Sequence, residues 1–213
     1  MKVHTFTFNP FSENTYILSD ATQDCVIIDP GCFNVEERTL LVNYIEQNGL
    51  KPVKLINTHC HIDHILGNAY ISEKYQLPLE AHEGEKPVLV AGQVSSQIYQ
   101  IPYEQSPEIT KYLIPGEQVT FGETKLNILF TPGHSPASIC LHHLETKQVI
   151  AGDVLFQGSI GRTDLPGGDM ETLLNSIKRE LMVLDDETIV YPGHGPSTTV
   201  GEERRMNPFL RGV

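Results

Sequence analysis

Basic residues are scarce in this chain. Fifteen Lys and Arg stand against 27 Asp and Glu over 213 residues, a formal net charge of −12 with histidines neutral. Neutralising phosphates needs clustered Lys and Arg, so the balance argues against a nucleic-acid partner and gives no reason to expect an anionic membrane. Long apolar runs are missing too. None approaches the roughly 18 residues of a membrane span, and the opening residues, Met1 to Pro10, alternate polar and apolar without the hydrophobic block of a signal peptide. Cysteine is sparse: Cys25, Cys32, Cys60 and Cys140 form no CxxC pair and no dense framework, the pattern of reduced thiols in the cytoplasm. No repeat, low-complexity segment or charge block marks a linker. With 39 % hydrophobic and 20 % charged residues, the expectation is one soluble domain over residues 1–213. A domain of that size buries roughly 70 % of the surface its unfolded chain exposes.

What is present is a set of patterned histidines. Of nine, three fall between His59 and His64, and two others follow the same dipeptide, in Pro132-Gly133-His134 and Pro192-Gly193-His194. The runs Val3–Phe8, Thr15–Ser19 and Cys25–Asp29 read as an antiparallel meander. A helix is expected over Val35–Gln47 with Asn34 as its cap, and another over Met170–Leu184 with Asp169 as its cap. His64–Tyr75 reads as helix and Leu79–Ala81 as a short strand. The stretch from Glu83 to Gly116 reads as a long lid or binding loop with helical character over Val88–Gln100. Beyond His194 a polar tail is expected. Four positions share one placement: His59, His134, Asp153 and His194 each follow a β-prone run, and strand-end loops are where α/β folds gather ligand-binding groups.

The chemistry follows from the residue types. Imidazole and carboxylate together suit zinc, iron or manganese. In extended backbone His59 and His61 point to one side and can clasp one ion, while Asp63 and His64 lie where the chain turns into a helix and can reach a second. A carboxylate can bridge two cations, which makes Asp153 the natural shared ligand. One ion is then expected to have His59, His61, His134 and Asp153, the other Asp63, His64, His194 and Asp153. Two cations about 3.5–4 Å apart can hold a bridging hydroxide and stabilise a tetrahedral oxyanion. Cys60, between two ligand histidines, should face away as a packed thiol. Tyr99 and Tyr103 are candidate lining residues of the long loop. Arg162 is apt as a clamp on a substrate carboxylate, with a salt bridge to Asp164 or Asp63 as the equal alternative.

Thr58-His59-Cys60-His61-Ile62-Asp63-His64, followed by Gly133-His134, Gly152-Asp153 and Gly193-His194, resembles the metallo-β-lactamase-fold hydrolases. The resemblance implies an α/β fold, a four-layer αββα sandwich with a two-metal site at one edge. Asp29-Pro30-Gly31 is similar to the family's early Asp motif, which supports the ligands without being one. Phe156 to Asp164 and Asn207-Pro208-Phe209-Leu210 resemble the short, single-domain glyoxalase II branch. Within that branch a Gly-Lys/Arg pair contacts the glutathione carboxylate, which Gly161-Arg162 matches. Asp164 stands where an aromatic residue is common. The C-terminal helical domain that completes the glutathione site in full-length members is expected to be absent.

The expected function is hydrolysis of a small-molecule thioester of the S-lactoylglutathione type, with two divalent ions per chain, zinc ahead of iron or manganese. Asp63, ligated yet near the water, is expected to orient the nucleophile. One rival is a mononuclear Fe(II) persulfide dioxygenase using His59, His134 and Asp153; a lower one is a metal-stabilised binding domain without turnover.

Overall fold

The computed structural model describes residues 1–211, which divide into two compact units: Met1–Leu113 with Thr120–Lys125, and Ile114–Val119 with the residues from Leu126 onward. In the first unit the elements run β1 (Lys2–Phe8), β2 (Glu13–Ser19), β3 (Asp24–Ile28), α1 (Val35–Gln47), β4 (Lys51–Ile56), α2 (Ile62–Ile65), α3 (Asn68–Tyr75), β5 (Leu79–Ala81), a 3-10 turn (Glu83–Glu85), α4 (Lys86–Tyr99) and β6 (Ile109–Tyr112). The six strands form one sheet in chain order. The first three pair antiparallel, as the alternating sequence implies, and β3 to β6 pair parallel. Parallel neighbours need a crossover, and α1 supplies the one between β3 and β4. It begins where the Asn34 side chain accepts the Glu37 N–H at 2.8 Å. Its buried face, Leu41 and Ile45, packs into a core with Ile17, Cys25, Ile27, Leu55 and Leu79 of the sheet.

The segment 83–116 is not a loop. Most of it is α4, whose Leu89 and Gly92 are buried, and β6, which extends the sheet beside β5. The uncharged run Val88–Tyr99 gave the helix away in part. The short β6 was hidden because its last three residues are exposed. α4 ends at Gln100 in a left-handed conformation, with Ile101 N–H bonding back to Ser96.

The second unit continues with β7 (Gln118–Phe121), β8 (Thr124–Phe130), β9 (Ile139–His143), β10 (Gln148–Gly152), the hairpin β11 (Leu155–Phe156) and β12 (Ser159–Ile160), α5 (Met170–Ser176), a π-turn (Ile177–Leu181), β13 (Ile189–Pro192), β14 (Thr198–Thr199) and α6 (Val200–Met206). Residues 120–125, at the β7–β8 turn, cluster with the first unit. The sheet order is β14-β13-β10-β9-β8-β7. β10 is parallel to β13 and antiparallel to β9, which is antiparallel to β8. β8, β10 and β13 therefore all end at the same edge. Leu173, Ile177 and Leu181 pack on Cys140, Val149, Ala151 and Val190 of this sheet. Asp169 caps α5 by accepting the Thr172 N–H. The expected polar tail is structured as β14 and α6. Among the described residues no helix is long and apolar enough to cross a membrane.

Candidate metal centre

In the first unit, β4 runs out through Asn57 and Thr58 into His59, Cys60 and His61, and α2 begins at once with Asp63 and His64 in its single turn. Asp29, in a left-handed conformation after β3, organises this segment. Its Oδ1 accepts the Thr58 N–H at 2.7 Å, and its Oδ2 accepts the Thr58 hydroxyl at 2.6 Å. That hydroxyl proton is committed to Asp29, so the Thr58 oxygen accepts from His59 Nδ1 at 3.1 Å. The Nδ1–H tautomer follows, which leaves the His59 Nε2 lone pair able to bind a metal. His64 lies beside the same carboxylate: Nδ1 is 3.2 Å from Asp29 Oδ2, and Nε2 is 3.6 Å from Asp63 Oδ2. Asp29, His59 and His64 offer atoms within 4.8 Å of one another. Asp29 already accepts three hydrogen bonds, from Asn57 Nδ2, the Thr58 N–H and the Thr58 hydroxyl, and faces an imidazole, which suits it to support the candidate ligand atoms, as the early Asp motif implies.

Four residues that sequence reasoning passed over finish the cradle. Asn57 donates to the His64 carbonyl at 3.0 Å and Asn68 donates to Asn57 at 2.7 Å. Glu85, fully buried, accepts the Cys60 N–H at 2.9 Å. Asn9, from the β1–β2 turn, donates to the Asp63 carbonyl at 3.0 Å. Nothing local announces them; amides and a glutamate next to turns look like solvated residues until their long-range partners are known. Cys60 is buried, and burial first, then the neighbouring Glu85, pushes its thiol well up. It is the packed thiol expected from the alternation. Tyr103 accepts the Ser106 N–H and Tyr99 lies edge-on to Phe11.

In the second unit the donors come from three strand ends: His134 after β8, Asp153 after β10 and His194 after β13. His134 Nδ1 lies 2.8 Å from the Arg162 carbonyl, which can only accept, so Nε2 again carries the lone pair. That nitrogen is 3.5 Å from Asp153 Oδ2, and His194 Nε2 is 3.4 Å from the same oxygen. A tetrahedral ion with bonds of about 2.0–2.1 Å sets its ligands about 3.3–3.4 Å apart. The 3.4 and 3.5 Å spacings of the second unit fit that requirement, the 3.6 Å between His64 and Asp63 comes close to it, and the donors are of the imidazole and carboxylate types that hold divalent ions.

Backbone geometry does most of the holding here. A Cβ on Gly161 would overlap the Asp153 carbonyl oxygen and meet His134 Nδ1 at 3.1 Å, so only glycine lets the chain pass. Gly133 has φ +127°, and a Cβ there would run into the Leu173 backbone at the start of α5. The β11–β12 hairpin that delivers Gly161 is tied down by α6: Glu203 accepts the Gly158 N–H at 2.9 Å, and Asn207 donates to the Ser159 carbonyl at 3.0 Å. Asn207, known from sequence only as part of a resemblance, is thereby a brace for this hairpin. Arg162 itself forks onto Asp164, both contacts 2.7 Å.

A family model described as the metallo-β-lactamase superfamily matches residues 8–194. The probable metallo-hydrolase YqgX of Bacillus subtilis is 40 % identical over 213 residues, 100 % of this chain and 99 % of that protein. The hydroxyacylglutathione hydrolase GloC of Haemophilus influenzae is 34 % identical over 99 % of this chain and 98 % of its own. Among solved structures, the BLEG-1 B3 metallo-β-lactamase superposes with a TM-score of 0.91 at 34 % identity, covering 99 % of this chain and 100 % of that one. TTHA1623 in a di-iron-bound form gives 0.88 at 37 %, covering 98 % and 100 %. ETHE1 from Myxococcus xanthus gives 0.81 at 28 %, covering 100 % and 85 %.

Proposed function

The chain belongs to the metallo-β-lactamase superfamily, and from that membership we propose that it is a two-metal hydrolase of small thioesters of the S-lactoylglutathione type. On this reading His59, His61, Asp63, His64, His134, Asp153 and His194 would hold the two ions, with Asp153 as the shared ligand that the family resemblance implies. The observation that carries this reading is the fixing of tautomers. Thr58, whose own proton is committed to Asp29, and the Arg162 carbonyl each take up an Nδ1 proton, so that His59 and His134 both keep an Nε2 lone pair for a metal. Packed structural histidines have no need of a common tautomer.

Divalent ions bound there lower the pKa of water and polarise a carbonyl. The residues of the chain do the rest. Asp63, at the first turn of α2 and partly exposed, orients the attacking water and accepts its proton. A C–O bond forms at the acyl carbon, the C–S bond breaks, and the thiolate leaves without needing a proton, which is why thioesters suit a site whose fixed bases are imidazoles and carboxylates. GloC lends the acyl-glutathione direction its weight. The di-iron neighbour keeps iron beside zinc as the native metal. The four buried free thiols suit a reducing cytoplasm.

The test is elemental analysis of the purified protein together with S-lactoylglutathione hydrolysis, with nitrocefin as the β-lactam arm suggested by BLEG-1. Two metals per chain with thioester turnover supports the proposal. β-Lactam turnover without thioester turnover would refute it. The ETHE1 likeness supports one second reading, a persulfide dioxygenase. A single iron and oxygen uptake on a glutathione persulfide would establish that instead.

A further inference from the structure

Arg162 follows Gly161, and its own carbonyl fixes His134, so its side chain starts from the strip of backbone beside the second unit's donors. Its fork is in use. Nε and Nη2 donate to the two carboxylate oxygens of Asp164, each at 2.7 Å, while the two side chains remain 57 % and 68 % exposed. The Arg162 hydrogen bonds are the main reason the Asp164 carboxyl falls to about 2, so the partner is a full carboxylate wherever imidazoles can bind a metal. A carboxylate lying bidentate in a guanidinium fork is chemically what a substrate carboxylate would be. The pair spans only one intervening residue, Thr163, so the competitor is always at hand. Both groups face water, and such a pair is held weakly enough for a ligand to exchange with it.

We infer that Asp164 is a specificity-determining residue: an internal carboxylate that occupies Arg162, disfavours thioesters whose thiol half presents a lone carboxylate, and favours those neutral at that point. The inference rests on the thioester reading for its substrate class, and on the Arg162–Asp164 geometry for its mechanism. An anionic thiol half must displace Asp164 to reach the fork, and loses affinity by up to about fivefold in doing so, the range of exposed ion pairs. A neutral one bypasses the exchange.

Two measurements separate the two layers. The first follows the Arg162 Nε resonance in protein labelled with 15N-arginine during titration with propionate, assigned by its loss in Arg162→Gln. In Asp164→Asn the propionate concentration at half-response is expected to fall about two- to fivefold from that of the native chain. The second compares kcat/KM for the lactoyl thioesters of N-acetylcysteamine, which is neutral, and 3-mercaptopropionate, which is anionic. Asp164→Asn is expected to lower the neutral-to-anionic ratio by the same factor, and Arg162→Gln/Asp164→Asn to show no such gain for the anion. Equal half-response and an unchanged ratio would overturn the inference. No turnover of either thioester, with the propionate response shifted as expected, would sink the thioester reading and uphold the competition at Arg162.

Discussion

The two donor sets are built on opposite principles. The first unit draws four donors from six consecutive residues, and their segment is held by side chains, Asp29 and Glu85 accepting hydrogen bonds from its backbone while Asn68 donates to Asn57 and Asn57 to the His64 carbonyl. The second draws three donors from strand ends far apart in sequence, and holds them largely by main-chain contacts: the Arg162 carbonyl on His134, the close passage of Gly161 beside Asp153, and the Gly193 N–H on the Gly152 carbonyl at 2.7 Å. A contiguous cluster has no sheet to space its donors, so buried polar side chains must do it. Donors at the ends of strands that run the same way in one sheet inherit their spacing from the sheet, and need only room for the backbone.

That contrast can be broken by mutation. The largest effect is expected from Asp153→Ala, which removes the carboxylate facing both His134 and His194: metal content and thioester turnover should be lost together. Full activity with one metal per chain would deny Asp153 a shared role. Next comes Asp29→Ala, which leaves every proposed ligand in place but removes the acceptor that commits the Thr58 hydroxyl, and with it the His59 tautomer. Support residues of this kind are worth about 10–100-fold in metal affinity. Competition with a chromophoric chelator measures it, and an unchanged dissociation constant would mean the cluster orders itself.

Gly161→Ala tests the other principle. Overpacking typically costs about 1–3 kcal/mol, and here the strain should fall on Asp153 and His134. A drop in urea midpoint together with reduced metal content is expected; a stability loss with metal affinity intact would show that the backbone passage is only packing.

The smallest effect belongs to a polar clamp that includes none of the candidate donors. Partial burial acts to raise the Asp20 carboxyl, but hydrogen bonds from Thr22, Glu123 and Thr124 outweigh it and bring it down to about 2 from an ordinary 3.8. A carboxyl depressed in the folded state stabilises the fold above its unfolded value, and the contribution drains away as pH falls from 3.8 towards 2. Discounted for its exposure, it is worth on the order of 1 kcal/mol. Asp20→Asn should therefore lower the urea midpoint at pH 7, converge with the native chain near pH 2, and leave metal affinity alone. A gap that persists in acid would place the effect elsewhere.

Legibility in the sequence followed the same divide. The α1 boundaries, the Asn34 and Asp169 caps and the antiparallel β1–β2–β3 meander were readable because their causes lie within a few residues. The candidate donors stand out in the sequence because metal chemistry restricts ligands to few residue types, and these stand in short motifs. The segment 83–116 was misread as a loop because its prolines and polar residues mask α4 and β6, and β6 exists only by pairing with β5. α6 and its Glu203–Asn207 brace on the β11–β12 hairpin were hidden in what looked like a polar tail.

Local chemistry alone thus determined which side chains can bind divalent ions and which strands deliver them, since ligand identity and strand periodicity are properties of neighbouring residues. Only the folded chain decided which imidazole nitrogen carries its proton, why residue 161 must lack a side chain, and that Arg162 spends its fork on Asp164. Each of those depends on a partner whose distance is set by packing, and the order of residues does not encode that distance.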